Sequence, residues 1–345
     1  MTTENPTTTE NPAPTSATSS TPSPSPSSSL SPTGIPVPAP TPVVSVKPLV
    51  LPAPDRGEDL RVRVSAPVTG GELPIVLFAH GYGSSLEGYG PLTDYWAARG
   101  FAVIQPTHLD SRTVGLPEGD PRIPRIWRLR SADLRRILDG LDVVEAAVPG
   151  LAGRLDRSRI AVAGHSFGGQ TAGTLLGLRV REPGTEEVPN LSDPRVKAGV
   201  LLATAGRGGT DLTPFAAGQF PFMNPDFTHL TTPALVVAGD RDDSPLSVRG
   251  PEWTADPYHL SPGAEGLLTL HGAEHSLGGI PGYEAAETTD ENPARLALLQ
   301  QVTWAYLRHA LGIDSSGWTA ARRALEGGTH PLGRLDTKEG AGRRP

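Results

Sequence analysis

The chain has 345 residues, long enough for one large domain or two ordinary ones with ample core. Its 30 Lys and Arg against 37 Asp and Glu give a net charge of −7, a mild acidity that argues against a nucleic-acid surface, which needs a basic stripe. With no cysteine, disulfides, thiolate metal sites and thiol nucleophiles are excluded.

The first 42 residues are dominated by Pro, Ser and Thr, with almost no aliphatic residue before Leu30. Such a segment cannot bury enough apolar area to offset its ordering entropy, so a disordered, partly polyproline-like tail is expected. The tail is expected to run to about residue 54, ahead of a main folded domain over 55–314 and a C-terminal helix with a loose tail over 315–345. The opening "MTTENPTTTE" lacks the basic and apolar regions of a secretory leader. No apolar run reaches the roughly 18 residues that a membrane span requires. The expectation is a cytoplasmic protein, although trimming of a longer precursor would leave the same start.

From residue 59 onward, strand and helix signals alternate. "DLRVRVSAP" alternates apolar and polar residues like a half-buried strand, and "LPIVLFAHG" is a continuous apolar run like a strand covered on both faces. A helix is expected in "LTDYWAARG", a strand in "FAVIQPT", and a helix in "SADLRRILDGLDVVEAAV" behind a Ser cap signal. "SRIAVAG" reads as a strand and "QTAGTLLGL" as a helix. "VKAGVLLATAG", "TPALVVAGD" and "GLLTLHG" read as further strands, and "NPARLALLQQVTWAYLRHAL" as a long closing helix. This pattern implies an α/β fold, a mostly parallel sheet with helices on both faces and the chemistry at the carboxyl ends of the strands.

Ser166 falls at such an end. In "GHSFGG" the glycines at 164 and 168 let the backbone turn sharply from strand to helix, exposing the serine on a nucleophile elbow. A serine hydroxyl needs a base. His275 in "LLTLHGAEHSLGG" follows the last predicted strand and comes after the serine, as this elbow requires. His271 ends that strand and is assigned to local packing, and His165 to support of the turn from beneath. The third member is a carboxylate that orients the imidazole. "PALVVAGDRDDSP" offers Asp240, Asp242 and Asp243; Asp242 is favoured because Asp240, straight off the strand, tends to bond loop backbone. In "FAHGYGSS" the amide of Tyr82 is expected to converge with that of Phe167 on one carbonyl oxygen as an oxyanion hole.

"HGYG", "GHSFGG", "VVAGDRDD" and "GAEHS", in this order and spacing, resemble the α/β-hydrolase superfamily over roughly Asp59 to Gly312. "GHSFGG" with "FAHGYGSS" is similar to the branch holding platelet-activating-factor acetylhydrolases, dienelactone-hydrolase-like esterases, chlorophyllases and bacterial polyester hydrolases. Two features depart from it. Chlorophyllases carry Arg after the nucleophile, where this chain has Phe167. Acetylhydrolases and chlorophyllases take their acid one strand earlier, where this chain has Thr204, with Asp211 farther on. The polyester-hydrolase and general esterase pattern fits Asp242.

The resemblance implies hydrolysis of a small-molecule or polymeric carboxylic ester through an acyl-enzyme, with no cofactor or metal. Two long loops, 105–129 and 207–230, are expected to set the substrate, with Trp127, Phe215 and Phe222 among the side chains lining an apolar pocket. The same triad on this fold also serves serine peptidases and amidases. A non-catalytic binding protein is the third alternative, disfavoured because every catalytic position is filled.

Overall fold

A computed structural model of the protein describes residues 1–2, 34–185, 187–284 and 289–338. Nine strands form one sheet: β1 (Val43–Leu51), β2 (Leu60–Pro67), β3 (Leu73–Ala79), β4 (Ala102–Pro106), β5 (Leu155–His165), β7 (Val196–Leu202), β9 (Ala234–Gly239), β10 (Ala264–Leu270) and β11 (Gly333–Thr337). Two-residue strands β6 (Arg179–Val180) and β8 (Pro225–Asp226) pair separately. The order across the large sheet is β1-β2-β4-β3-β5-β7-β9-β10-β11. The six strands from β4 to β10 run parallel, while β1, β2 and β11 are joined by antiparallel pairings. This is the α/β-hydrolase fold.

The apolar run of β3 is explained by burial on both sides. Ile75, Leu77 and Ala79 enter one hydrophobic core while Val76 and Phe78 enter the other, because successive strand side chains point to opposite faces. The first core takes up residues of α2 (Ile126–Asp139), α3 (Leu141–Ala147) and α4 (Phe167–Leu176). The second is filled from α1 (Gly90–Ala97), α7 (Pro293–Ala310) and α8 (Ser316–Leu325), with Trp96, Trp304 and Trp318 buried in it. Short helices α5 (Pro214–Gln219) and α6 (Asp256–Leu260) lie in the connections on either side of β9.

Three expectations shift. Residues 3–33 of the expected tail lie outside the described residues, but Val43–Leu51 is strand β1, and Ile35 and Val37 are buried in the second core. Val43–Val46 pair with β2 and the pairing resumes at Leu49–Leu51, the register slipping around Pro48, which has no N–H to give. At the other end, Gly333–Thr337 pairs with β10 along its whole length and puts one leucine, Leu335, into the second core, and 339–345 lie outside the described residues. The helix expected from Ser131 starts at Ile126 instead. Ser131 sits inside it, donating from Oγ to the Trp127 carbonyl, and Gly140 interrupts the helix between α2 and α3.

Candidate active site

Strand β5 ends at His165 and α4 begins at Phe167, leaving Ser166 alone in the turn with φ +55° and ψ −123°. For a residue with a Cβ this left-handed conformation is strained, and strain of this kind persists only where the surroundings enforce it. The enforcement is steric. A Cβ on Gly164 would come within 2.1 Å of the Gly168 carbonyl oxygen, and one on Gly168 within 2.0 Å of the Ala79 oxygen. The turn closes only because both positions lack side chains.

Asp242 and His275 arrive from the ends of β9 and β10. Asp242 lies three residues beyond β9 and is 2% exposed. Its two carboxylate oxygens lie 3.0 and 3.1 Å from His275 Nδ1. The His275 side chain is about half exposed (47%), in a loop after β10. Ser166, Asp242 and His275 line one cavity of about 520 Å³. Asp240 points elsewhere: it accepts from the Gly272 amide at 2.7 Å and pairs with His271 at 3.1 Å. Asp243 lines the same cavity as Asp242. Thr204 is fully buried, with Oγ1 where a side chain on Gly169 would stand, and Asp211 is engaged by Arg249 at 3.1 Å. Among the described residues no acid between β7 and β9 hydrogen-bonds to His275, whose Nδ1 faces Asp242.

The turn after β3 carries Tyr82 to the mouth of the cavity, its ring 6.4 Å from that of Phe167. Among the described residues neither the Tyr82 nor the Phe167 amide donates to a protein acceptor. Phe167 opens α4, whose first N–H groups lack intrahelical partners and carry the positive end of the helix dipole. His80 Nε2 accepts from the His108 amide at 3.0 Å, so its Nδ1–H is the donor to the Gly81 carbonyl at 2.6 Å.

Sequence reasoning missed what holds this turn. Arg130 on α2 is completely buried and donates to the His80 carbonyl, to Asp110 at 2.6 Å and to Thr171 on α4 at 3.0 Å. Its guanidinium also lies over the Phe167 ring, 4.4 Å from the centroid. Asp110 in turn accepts from the Gly83 amide at 3.3 Å. The available signal was an arginine set among the apolar positions of a helix, where only a partnered cation is tolerated. Nearby His108 is buried against Asp133 at 2.9 Å, and burial pushes its pKa well below the usual histidine value.

Of the expected lining residues, Phe222 borders the first cavity and also a second of about 640 Å³, which Phe215 lines. Trp127 lines neither. It is 2% exposed, packed into the first core, while its neighbour Ile126 reaches the second cavity. Helical geometry turns adjacent residues to different faces, and the periodicity of α2 assigns 127 to the core face. Tyr82, Phe220 and Phe222 are common to both cavities, with Phe220 edge-on to Tyr82 at 5.4 Å. Among the described residues no cluster of three or more His, Asp or Glu is placed to hold a metal ion, and no helix is long and apolar enough to cross a membrane.

The sequence model of the chlorophyllase family, α/β-hydrolases that act on esters, matches residues 52–183. The matched stretch carries Tyr82, Ser166 and Phe167 and stops before Asp242 and His275. No curated protein matches the chain.

Proposed function

We propose that the protein, which resembles the esterase branch of the α/β-hydrolases, is a carboxylic ester hydrolase working through a Ser166–His275–Asp242 triad. The observation that carries this reading is the buried Asp242 carboxylate bonded to His275 Nδ1 at 3.0 Å, in a cavity shared with a serine on a strained elbow. With Nδ1–H donated to Asp242, His275 presents Nε2 as the basic nitrogen. That nitrogen takes the Ser166 proton as Oγ attacks the ester carbonyl. The oxyanion is held by the amides of Tyr82 and Phe167, already oriented by Arg130 and by the start of α4. His275 then protonates the leaving alcohol, and water repeats the sequence on the acyl-enzyme to release the acid. Asp242 stabilises the transient imidazolium without taking its proton. The apolar lining of Phe167, Phe220, Phe222, Met223 and Leu246 favours an uncharged, apolar ester arm beside Ser166.

A p-nitrophenyl ester assay run beside an aminoacyl-p-nitroanilide assay separates an esterase from a peptidase or amidase. Ser166→Ala is expected to lower kcat on the ester by on the order of 10⁶ while circular dichroism stays unchanged. A fluorophosphonate should label the parent protein and not the variant. Labelling that survives the substitution would overturn the assignment of the nucleophile.

A further inference from the structure

Beneath the three parts of the site runs one directed chain of hydrogen bonds. His165 Nε2 lies 2.7 Å from the carbonyl oxygen of His275, an atom that can only accept. Nε2 is therefore the protonated nitrogen of the ring, and Nδ1 is left as an acceptor. The Tyr89 hydroxyl lies 2.9 Å from that Nδ1 and must donate to it. The same hydroxyl oxygen accepts the Gly81 amide at 3.0 Å. The direction of each bond follows from the one before: Gly81 N–H to Tyr89, Tyr89 O–H to His165, His165 N–H to the His275 backbone.

The surroundings lock this order in place. His165 is buried, and burial together with the neighbouring His275 pulls its pKa down to about 3, so the ring stays neutral. The His165 and His275 rings lie 4.8 Å apart. Tyr89 is held at φ +65°, a conformation costly to a residue with a side chain. Its own amide donates to the Pro281 carbonyl at 3.0 Å, in the segment that follows His275. A Cβ on Gly81 would stand 2.8 Å from the Tyr89 hydroxyl and 3.3 Å from His165 Nδ1, so the relay leaves room there only for glycine.

Building on the ester-hydrolase reading, we propose that Tyr89 and His165 are positioning residues that fix the distance between the oxyanion-hole turn and the catalytic histidine. Gly81 directly precedes Tyr82, whose amide meets the oxyanion. His165 grips the backbone of His275 and directly precedes Ser166. One phenol and one neutral imidazole therefore register nucleophile, base and oxyanion donor against each other, and neither touches the substrate. Misplacement of such groups weakens interactions made in the transition state more than those made in the ground state.

The test uses the full chain. Nitrogen-15 NMR of the labelled parent should show one histidine as the neutral Nε2–H tautomer that does not titrate between pH 7 and 5, and His165→Gln should remove that signal. Tyr89→Phe keeps the ring and removes only the hydroxyl. It should lower kcat by about 10- to 100-fold with KM within about twofold. It should weaken a trifluoromethyl ketone, which forms a tetrahedral adduct, by the same factor. His165→Gln, which can still donate to the His275 carbonyl, should retain more activity than His165→Ala. A His165 signal of the Nδ1–H tautomer, or one titrating near pH 6.5, would overturn the relay. So would a folded Tyr89→Phe variant with parental kcat and inhibitor affinity. A parent chain without esterase activity would instead remove the functional reading and the proposal built on it together.

Discussion

Asp242→Asn is the substitution that separates the candidate acids most sharply. Both Asp242 oxygens lie within 3.1 Å of His275 Nδ1, and the carboxylate is shielded from water. The amide has the same shape, so packing is preserved, but it removes the negative charge that faces the imidazolium and offers an N–H₂ that selects the wrong tautomer. In triads of this kind the loss is about 10⁴ in kcat, which at about 1.36 kcal/mol per decade is about 5.4 kcal/mol of transition-state stabilisation. Asp240→Asn removes a half-exposed carboxylate whose partners are the Gly272 amide and His271, both away from Ser166. It should cost about 1 kcal/mol of stability at most and leave kcat within a few-fold. Asp211→Asn loosens the pairing with Arg249 and should leave kcat unchanged. The three variants are assayed on one short-chain p-nitrophenyl ester with folding followed by circular dichroism. A folded Asp242→Asn variant retaining a tenth or more of parental kcat would refute the reasoning, and a dead Asp240 variant would move the acid to β9's very end.

Deleting residues 1–42 removes Ile35 and Val37 from the second core and the Thr41 amide from its bond to Ala98; at about 1.5–2 kcal/mol for each buried side chain, about 3 kcal/mol should be lost. Differential scanning calorimetry should then show a midpoint several degrees lower than that of a deletion ending at residue 33, and equal midpoints would contradict the burial. Stability should also depend on pH through His165, whose folded pKa is depressed to about 3. The unfolded chain binds its proton first, so its neutral burial stabilises the fold above about pH 6.5 and that stability is lost as pH falls below it. The slope it adds approaches about 1.4 kcal/mol per pH unit, whereas the depressed His108 is opposed by its partner Asp133, whose carboxyl burial pushes up to about 7. Urea midpoints between pH 7 and 5 should fall more steeply in the parent than in His165→Gln, and equal slopes would refute the assignment of a neutral His165 ring.

The fold was legible wherever a segment's burial is uniform or strictly periodic. β3, β7 and β9 read as apolar runs because the sheet is covered on both faces, and the glycine pair around Ser166 read as a turn because two backbones must pass there. β1 was obscured by the Pro, Ser and Thr that flank it, and by its position at a sheet edge, where the burial signal is weak. β11 gives the core a single leucine. The positions of Asp242 and His275 were legible from chain order, because strand ends converge at one side of a parallel sheet. The supports were not: Arg130 and Tyr89 act through contacts 41 and 76 residues distant in the chain, and no local spacing encodes such pairings. Trp127 was misplaced because composition marks an aromatic without saying which way its helix turns it.

Strands β1 and β11 sit at opposite margins of the sheet, with seven others between them. Eight inter-strand steps of about 4.8 Å separate them by on the order of 40 Å. A circular permutant that joins Thr337 to Val43 therefore needs a connector of at least about 12 extended residues, routed around a helical layer. Both margins are also remote from β5, the middle of the sheet, where Ser166 stands. A surface tether or a fused domain attached beyond either margin strand should leave the mouth of the cavity open, so immobilisation from both sides at once is compatible with turnover.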